Sequence, residues 1–411
     1  MNYVIIGTGP AGVVAAETLR QREPTSAITL IGDEPELPYS RMAIPYHLIG
    51  DIAEEGTHLR KAPAHFERER IQHIQRHVTN IQANTHQLTL DDGSQLSFDR
   101  LLIATGSRAV RPPLPGMDLT GVTNCWTLAD ARRIIAKANA GDEVILMGAG
   151  FIGCIILEAL AKRGVKLTVV EMENRMVPRM MDEQSGGLLK RWCEQQGVRV
   201  LTSTKVKSVS IAGEKLAVEL DGQPAMQVDL LICATGVKPN IELAKGWLQT
   251  GHGILVNRRL QTSHPDIFAA GDVAEGRDFS TGDYSVQAIQ PTAVEHGFIA
   301  ATNMSGGNYL HQGSINMNVL DTMGLISASF GLWQGVENGE SATLNDPEHY
   351  RYINLQFKGD RLVGANTLGM TQHIGALRGL IQNRTRLGKW KAHLMDNPSR
   401  FMEAYLQQRV A

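Results

Sequence analysis

The sequence predicts an α/β protein with two similar strand–helix–strand domains, one inserted into the other, followed by a smaller C-terminal α+β domain. Residues 3–34 and residues 143–171 share one pattern: an apolar strand, a Gly-x-Gly-x-x-Gly turn, a helix-like stretch and a second strand. A strand that ends in Ala-Thr-Gly also occurs twice, at 101–106 and 230–236. A chain of 411 residues is long enough for two or three such domains.

The glycine turns are typical of Rossmann-like dinucleotide-binding domains. The first glycine permits the tight turn, the second lets the backbone approach a pyrophosphate, and the third lets the helix pack close to the strand. The helix N-terminus that follows favours negative phosphates. The glycines are Gly7, Gly9 and Gly12 in the first copy and Gly148, Gly150 and Gly153 in the second. One such turn is weak support, but two copies in the same context predict two dinucleotide sites.

An acidic residue at the end of the second strand accepts hydrogen bonds from ribose hydroxyls. In the second copy Glu171 lies roughly 20 residues after the first glycine, where this acid is expected. A carboxylate there repels a 2′-phosphate, so NADH is preferred to NADPH, although Arg175 and Arg179 downstream weaken this preference. In the first copy Gly32 stands at the acid's place, and Asp33 is the residue we expect to contact the ribose.

Composition and targeting signals indicate a cytosolic protein. The net charge of −2 argues against general affinity for nucleic acid, and no apolar run is long enough to span a bilayer. The apolar start of the chain lacks a basic n-region, so it is a first strand from Tyr3 rather than a signal peptide. The four cysteines show no CxxC spacing, and we predict neither a disulfide framework nor a metal site.

These motifs resemble the two-dinucleotide-binding-domain flavoproteins, the pyridine nucleotide-disulfide oxidoreductase superfamily. A third motif supports this: residues 262–272 end in Ala-Ala-Gly-Asp, and Asp272 matches the family's aspartate that binds FAD. The resemblance is closest to ferredoxin, rubredoxin and nitrite reductase-type flavoproteins. It implies an FAD-binding domain at 1–113 and 239–313, an NAD-binding domain at 114–238 and a C-terminal partner-docking domain at 314–411.

The resemblance also implies cofactor-binding residues, which are expectations at this point. For FAD they are Gly7, Gly9, Pro10, Ala11, Gly12, Asp33, Arg41, Met42, Val78, Ala104, Thr105, Gly106, Asp272 and Pro291. For NADH they are Gly148, Gly150, Phe151, Ile152, Gly153, Glu171 and Gly236. The helix after Pro291 matches the family's helix that points at the flavin. His296 on that helix is interpreted as a surface or packed residue rather than an acid–base group.

The segment expected beside the flavin departs from the thiol-dependent branches of the superfamily. Met42 stands where some of them carry a redox cysteine, and a thioether cannot form a thiolate or a mixed disulfide. Tyr46 and Ile155 replace a lysine and a glutamate that can pair near flavin N5. Because both partners are lost, no unpaired buried charge remains. Tyr46 either presents a hydroxyl to the flavin or simply packs, and Phe151 either shields the flavin or is core.

The C-terminal region contains a stretch with basic residues and no acidic ones. No Asp or Glu occurs from Arg361 to Met395, which holds six basic residues: Arg361, Arg378, Arg384, Arg386, Lys389 and Lys391. The stretch is either a solvated amphipathic helix or a docking face for an acidic electron-transfer partner. The alternating residues before it predict a hairpin that turns at Gly359-Asp360. Trp390 and Phe401 are predicted to be core residues.

Hydride transfer between a nicotinamide and a flavin needs no side-chain nucleophile, so no catalytic side chain is predicted. The leading hypothesis is an NADH:acceptor oxidoreductase that passes electrons, singly, to an iron–sulfur protein or the iron–sulfur subunit of a larger redox complex. The alternatives are a free-standing NADH oxidase or diaphorase that reduces oxygen or quinones, and a non-enzymatic NADH-sensing flavoprotein.

Overall fold

The computed structural model describes residues 1–62 and 64–410, with side chains described as far as residue 407. The chain forms two compact units. Unit 1 comprises Met1–Arg108 and Val237–Ser314, and unit 2 comprises Ala109–Gly236 and the residues from Ile315 onward. Each unit is therefore built from two separate stretches of chain.

The secondary structure mixes strands and α-helices along the described chain. The strands are β1 Asn2–Ile6, β2 Ala27–Gly32, β3 Gln72–Gln75, β4 Val78–Gln82, β5 Gln87–Leu90, β6 Gln95–Ser97, β7 Arg100–Ile103, β8 Ser107–Ala109, β9 Val122–Asn124, β10 Glu143–Met147, β11 Lys166–Val170, β12 Arg199–Leu201, β13 Val206–Ala212, β14 Lys215–Leu220, β15 Gln223–Val228, β16 Leu230–Cys233, β17 Val237–Pro239, β18 Ile254–Leu255, β19 Ile267–Ala269, β20 Ala274–Arg277, β21 Tyr284–Ser285, β22 Met317–Thr322, β23 Leu325–Gly331, β24 Glu340–Asp346, β25 Arg351–Lys358 and β26 Arg361–Leu368. The α-helices are α1 Pro10–Arg22, α2 Ile44–Leu48, α3 His65–Arg68, α4 Leu128–Lys137, α5 Phe151–Lys162, α6 Glu183–Gln195, α7 Gln290–Met304, α8 Gly375–Gln382, α9 Trp390–Asp396 and α10 Phe401–Val410.

Unit 1 is centred on a parallel five-stranded sheet with strand order β19-β7-β1-β2-β3. Four of its strands are nearly continuous apolar runs because both faces are covered, as expected of parallel sheets, whereas edge strand β3 is polar and half-exposed. Tyr3, Leu30, Leu101 and Ile267 are fully buried in this core. An antiparallel sheet β4-β5-β6 and a three-stranded sheet β18-β20-β21 complete the unit.

Helices α1 and α7 pack against each other in unit 1 at very short range. A Cβ atom on Gly297 of α7 would lie 2.3 Å from the backbone oxygen of Ala11, so only glycine fits at this crossing. This contact fixes the N-terminal half of α7 against the helix that follows the first glycine turn.

Unit 2 contains a second parallel five-stranded sheet with strand order β12-β11-β10-β16-β9. Next to it lie the antiparallel sheet β13-β14-β15 and a five-stranded antiparallel sheet with order β22-β23-β26-β25-β24. Polar contacts join the last sheet to the part of the unit that contains the parallel sheet. The Tyr352 hydroxyl donates to Asp182 at the start of α6, and the Ser185 hydroxyl donates to Asn366 on β26 at 2.9 Å.

The predicted C-terminal hairpin is confirmed: β25 and β26 are antiparallel and turn at Gly359, which has a φ of +57°. The interpretation of the acid-free stretch as a solvated amphipathic helix is wrong, because it contains the largely buried strand β26 and two separate short helices, α8 and α9. Phe401 is buried as predicted, whereas Trp390 is only partly buried beneath the Arg400 guanidinium.

The fold class predicted from the sequence, two Rossmann-like sheets and a C-terminal α+β region, is confirmed by this architecture. The first strand begins at Asn2, one residue before the predicted start. Among the helices of residues 1–62 and 64–410, none is long and apolar enough to cross a bilayer.

Candidate functional site: two dinucleotide cradles

The first glycine turn connects β1 to α1 in unit 1. Gly7 has a φ of +116°, and a Cβ atom there would lie 2.0 Å from the backbone oxygen of Ala104. A Cβ on Gly12 would lie 1.9 Å from the Gly7 oxygen, whereas Gly9 faces open space. The two outer glycines therefore allow close packing, and the middle glycine leaves room for a ligand.

The second glycine turn connects β10 to α5 in unit 2 and has the same construction. Gly148 has a φ of +106°, and its added Cβ would lie 2.5 Å from the oxygen of Ala234. A Cβ on Gly153 would lie 2.2 Å from the Gly148 oxygen, and Gly150 is again open. The internal repeat seen in the sequence is thus a repeat of atomic contacts.

Both cradles fit a dinucleotide pyrophosphate. Helix α1 begins at Pro10 and α5 begins at Phe151, with Gly9 and Gly150 as N-caps and no side-chain cap at either helix. The first N–H groups of both helices consequently have no side-chain acceptor and point towards the open middle glycine. A phosphate placed there would take these hydrogen bonds.

Glu171 is the acidic residue of the second cradle, and it is 6% exposed directly after β11. Its Oε2 accepts from the Ala149 N–H at 2.7 Å and its Oε1 accepts from the Glu173 N–H at 2.9 Å. The two hydrogen bonds fix the carboxylate and leave further lone pairs for ribose hydroxyls. Arg175 donates to the backbone oxygens of Met181 and Pro178, so this guanidinium is already engaged.

The first cradle carries no acid at the equivalent place, because Gly32 ends β2. A Cβ on Gly32 would lie 2.6 Å from both Oγ1 and Cγ2 of Thr8, so the threonine side chain lies over the glycine. Asp33, the expected ribose contact, has a side chain that is 62% exposed and pairs with His77 at 3.2 Å. Glu34 pairs instead with Arg41 at 2.6 Å.

Asp272 lies in the short turn Gly271–Val273 after β19, where its side chain accepts from the Ser107 hydroxyl at 2.8 Å. Burial raises the pKa of this carboxyl group, and the Ser107 hydrogen bond and the nearby Arg41 guanidinium oppose that rise. The predicted residues Arg41 and Asp272 are therefore brought together. Ser107 was missed in the sequence, although its place directly after Gly106 of the Ala-Thr-Gly motif could have drawn attention to it.

The two Ala-Thr-Gly motifs bring a strand end to each cradle. The N–H of Ala104 donates to Ile6 at 2.7 Å, and that of Ala234 donates to Met147 at 2.8 Å. Each threonine hydroxyl then donates to a backbone oxygen, Thr105 to Asn240 and Thr235 to Val110. Gly106 and Gly236 follow with φ of +65° and +102°. Each motif therefore lies beside one of the two glycine turns. Val78, the remaining expected FAD residue, begins β4 and is buried.

No cysteine of the chain lies in the segment expected beside the flavin. Met42, in the turn Arg41–Ala43, is 45% exposed. All four cysteines are free and buried. Burial raises the pKa of Cys125 and Cys193 to about 12 and that of Cys233 to about 11, and it raises the pKa of Cys154 well above its usual range. These thiols are protonated and shielded, so they cannot act as nucleophiles at neutral pH.

Tyr46 is 58% exposed on α2. Both roles considered for it, a hydroxyl presented to the flavin and packing, stay predictions. Phe151 and Ile152 open α5 and are both partly buried, as is Ile155 one turn later. The side chain of Phe151 is thus accessible at the start of the helix, next to the open Gly150.

Pro291 occupies the first turn of α7, which starts without a side-chain cap. Gln290 beside it accepts from the Ser40 hydroxyl at 2.6 Å, which ties the helix start to the segment that carries Arg41 and Met42. His296 is packed rather than on the surface: it is 4% exposed, and its ring meets that of His311 edge-on at 4.8 Å. Burial lowers the pKa of His296 to about 3, so the ring is neutral.

Comparison with known proteins decides the family. The sequence profile described as pyridine nucleotide-disulphide oxidoreductase matches residues 1–297. The chain belongs to this family. It is accordingly an oxidoreductase and a flavoprotein with FAD and NADH as its cofactors.

Several known proteins are similar to this chain. An NADH oxidase of Methanocaldococcus jannaschii is 35% identical over 74% of this chain and 70% of its own length. The NADH-dependent phenylglyoxylate dehydrogenase subunit epsilon of Aromatoleum evansii is 29% identical over 97% and 95%. The ferredoxin–NAD(+) reductase subunit of the benzene 1,2-dioxygenase system of Pseudomonas putida is 33% identical over 71% and 73%. A covalent putidaredoxin reductase–putidaredoxin complex has a TM-score of 0.91 and 25% identity, over 100% of this chain and 99% of that one.

Proposed function

We propose that this flavoprotein is an NADH:acceptor oxidoreductase whose electrons pass singly to an iron–sulfur protein or to the iron–sulfur subunit of a larger redox complex. The observation that carries the proposal is the pairing of two intact dinucleotide cradles with four buried, high-pKa thiols and a methionine at position 42. Relatives named as a ferredoxin–NAD(+) reductase subunit and as one subunit of an NADH-dependent dehydrogenase agree with it.

In this proposal unit 1 holds FAD. The N–H groups at the start of α1 bind the pyrophosphate across Gly9, Asp272 and Arg41 contact the central part of the cofactor, and Asp33 contacts the adenosine ribose. The positive end of the α7 dipole, at Pro291, stabilises negative charge on the ring system. When bound, FAD would supply the chemistry, which is acceptance of a hydride from NADH and release of the two electrons singly.

Unit 2 holds NADH in the proposal. The start of α5 binds its pyrophosphate across Gly150, and Glu171 accepts from the ribose hydroxyls. The carboxylate is buried and fixed by two backbone N–H groups, so it would repel a 2′-phosphate with little room to move away. Phe151, at the first position of α5, is proposed to cover the reaction site until the nicotinamide displaces it.

We propose that the acceptor protein docks on the C-terminal region and takes up the electrons there. Arg361, Arg384, Arg386 and Lys389 are exposed, and the antiparallel bridge between Arg361 and Arg386 brings two of them together. Lys391 instead pairs with Glu340. Two carboxylates border this face, since Asp360 also accepts from the Gly388 N–H at 2.9 Å. Its four exposed cations nevertheless favour an acidic partner, because charge complementarity raises the encounter rate.

The domain division inferred from the resemblance is part of this proposal: FAD at 1–113 and 239–313, NAD at 114–238 and docking at 314–411. A cytoplasmic location is also proposed. Its support is that all four cysteines are unpaired, which suits a reducing compartment.

The test is a pair of half-reactions measured under anaerobic conditions. Flavin bleaching after mixing with NADH gives the first rate, and the oxidation of reduced protein by a bacterial-type ferredoxin gives the second. We expect both to be faster than overall turnover with oxygen as the acceptor.

Oxygen serves as the competing acceptor in the same apparatus. If NADH consumption in air equals or exceeds the rate with saturating ferredoxin, the protein is an NADH oxidase and the proposal fails. If NADH binds without any flavin bleaching, the proposed oxidoreductase activity is wrong, and the sensing alternative is the one to test next.

A further inference from the structure

The two cradles can be compared residue by residue. The Gly7 N–H donates to Ile31 at 2.7 Å, and the Gly148 N–H donates to Val170 at 2.8 Å. Ile6 pairs with Ile31 in the first sheet, as Met147 pairs with Val170 in the second. Gly32 and Glu171 therefore occupy the same place, and so do Thr8 and Ala149.

The backbone hydrogen bonds of the two cradles match, and the difference lies in the side chains at Thr8 and Gly32 compared with Ala149 and Glu171. In unit 2 the Glu171 carboxylate reaches back to the Ala149 N–H. In unit 1 the direction is reversed: Thr8 extends over Gly32, and its Oγ1 and Cγ2 lie where the first carbon of an acidic side chain would have to be. Thr8 fills the volume that the missing acid vacates.

The polar groups of Thr8 are available to a ligand. Among residues 1–62 and 64–410, no hydrogen bond engages the Thr8 N–H or its hydroxyl, whereas the equivalent Ala149 N–H is taken by Glu171. Asp33 does not fill this volume, since its side chain is mostly exposed and pairs with His77. A hydroxyl donates one hydrogen bond and accepts two, which matches the hydroxyls of a ribose.

We propose that Thr8 is a cofactor-binding residue that contacts the adenosine ribose of FAD, in the position where Glu171 serves the ribose of NADH. This rests on FAD occupying the first cradle. Thr8 acts in addition to Asp33, and it makes the ribose contact of the first cradle partly neutral. A neutral contact has no charge to desolvate when the cofactor binds, unlike the carboxylate of the second cradle.

The test is the affinity of flavin-free protein for FAD, measured by quenching of flavin fluorescence. Thr8→Val keeps the shape of the side chain and removes the hydroxyl. One neutral hydrogen bond corresponds to a rise in Kd of roughly two- to tenfold. Thr8→Ser should retain wild-type affinity, because it keeps the hydroxyl. Thr79→Val on β4 is the matched control, since this threonine is exposed and outside the cradle.

FAD analogues that lack the 2′- or the 3′-hydroxyl of the adenosine ribose complete a double-mutant cycle. Wild-type protein should bind one of them several-fold more weakly than FAD, and Thr8→Val should discriminate much less. Equal affinity of Thr8→Val and wild type for FAD would overturn the proposal, as would Thr8→Ser binding as weakly as Thr8→Val. Wild-type protein that binds no FAD would instead overturn the assignment of the cofactor to this chain.

A rescue experiment at positions 8 and 32 distinguishes loss of the ribose contact from a variant that fails to fold. Gly32→Glu alone should lose FAD, because its Cβ collides with Thr8. Adding Thr8→Ala rebuilds the arrangement of Ala149 and Glu171 and should restore binding. A double variant no better than Gly32→Glu alone would contradict the equivalence of the two places.

Discussion

Replacing Glu171 by alanine should weaken NADH binding far more than NADPH binding. The carboxylate is 6% exposed and is held by two backbone N–H groups at 2.7 and 2.9 Å, so it is already oriented before the ribose arrives. Hydrogen bonds to a charged group contribute about 1.5–3 kcal/mol. Their loss corresponds to a rise of roughly 10- to 150-fold in the apparent Kd for NADH.

The affinity for NADPH should rise or stay unchanged in the same variant, because the carboxylate that repels its 2′-phosphate is gone. Exposed Arg179 then remains as a cation in the segment after β11. Glu171→Gln should fall between wild type and Glu171→Ala, since an amide keeps one acceptor oxygen and removes the charge. Glu173→Gln is the matched control, because Glu173 lies two residues away and is exposed.

Stopped-flow bleaching of the flavin over a range of NADH and NADPH concentrations gives the apparent Kd of each nucleotide. The ratio of the two values should move towards NADPH by at least tenfold in Glu171→Ala and stay within about twofold in the control. A ratio that does not move would show that Glu171 is a structural residue and that the nucleotide's ribose lies elsewhere.

Three further predictions follow from burial and charge. Small alkylating reagents should leave NADH-dependent dye reduction nearly intact, because all four thiols are buried with raised pKa values; rapid inactivation prevented by NADH would contradict this. The pKa values of His296 and His311 are lowered to about 3 and about 4 from an ordinary 6.5, which favours the neutral rings in the folded protein. The contribution of these two rings to the free energy of unfolding is therefore present in full above pH 6.5 and is lost as the pH falls towards 4. Between pH 7 and 5 each histidine should remove about 2 kcal/mol of unfolding free energy at 1.4 kcal/mol per pH unit, a loss that His296→Gln should halve in urea titrations and the exposed-site control His349→Gln should not. Charge reversal of Arg384 and Arg386 to Glu should slow electron transfer to an acidic ferredoxin and flatten its salt dependence while leaving reduction by NADH unchanged; Lys205→Glu is the control, and identical partner kinetics would remove the docking role.

The glycine turns were predictable because local sterics determine them. A Cβ on Gly12 would collide with the Gly7 oxygen five residues earlier, and Gly7 itself has a φ of +116°, so both constraints appear in the sequence as a fixed spacing. The same holds for the hairpin at Gly359, whose positive φ and flanking alternation are both local.

The features that could not be predicted depend on contacts between distant parts of the chain. His296 is buried because His311 and Ser314 fold over it, and its helix gave no sign of this. The acid-free stretch was read as a helix from composition alone, but its first part pairs with β25 and β23 and becomes a buried strand. Charge composition carries no period, so it cannot distinguish a helix from a strand.

Gly32, which stands in place of the motif's acid, can be interpreted only together with Thr8. Read alone, a glycine in place of an acid suggests a weakened ribose site. In the structure Thr8, in the glycine turn, lies over Gly32, so its side chain occupies the space that an acid at the end of β2 would fill. We propose that the fixed carboxylate of the second cradle distinguishes NADH from NADPH, and that the first cradle, which holds FAD in this proposal, needs no such discrimination. We therefore expect variants at position 171 to change which nucleotide is used, and variants at positions 8 and 32 to change only how tightly FAD is held.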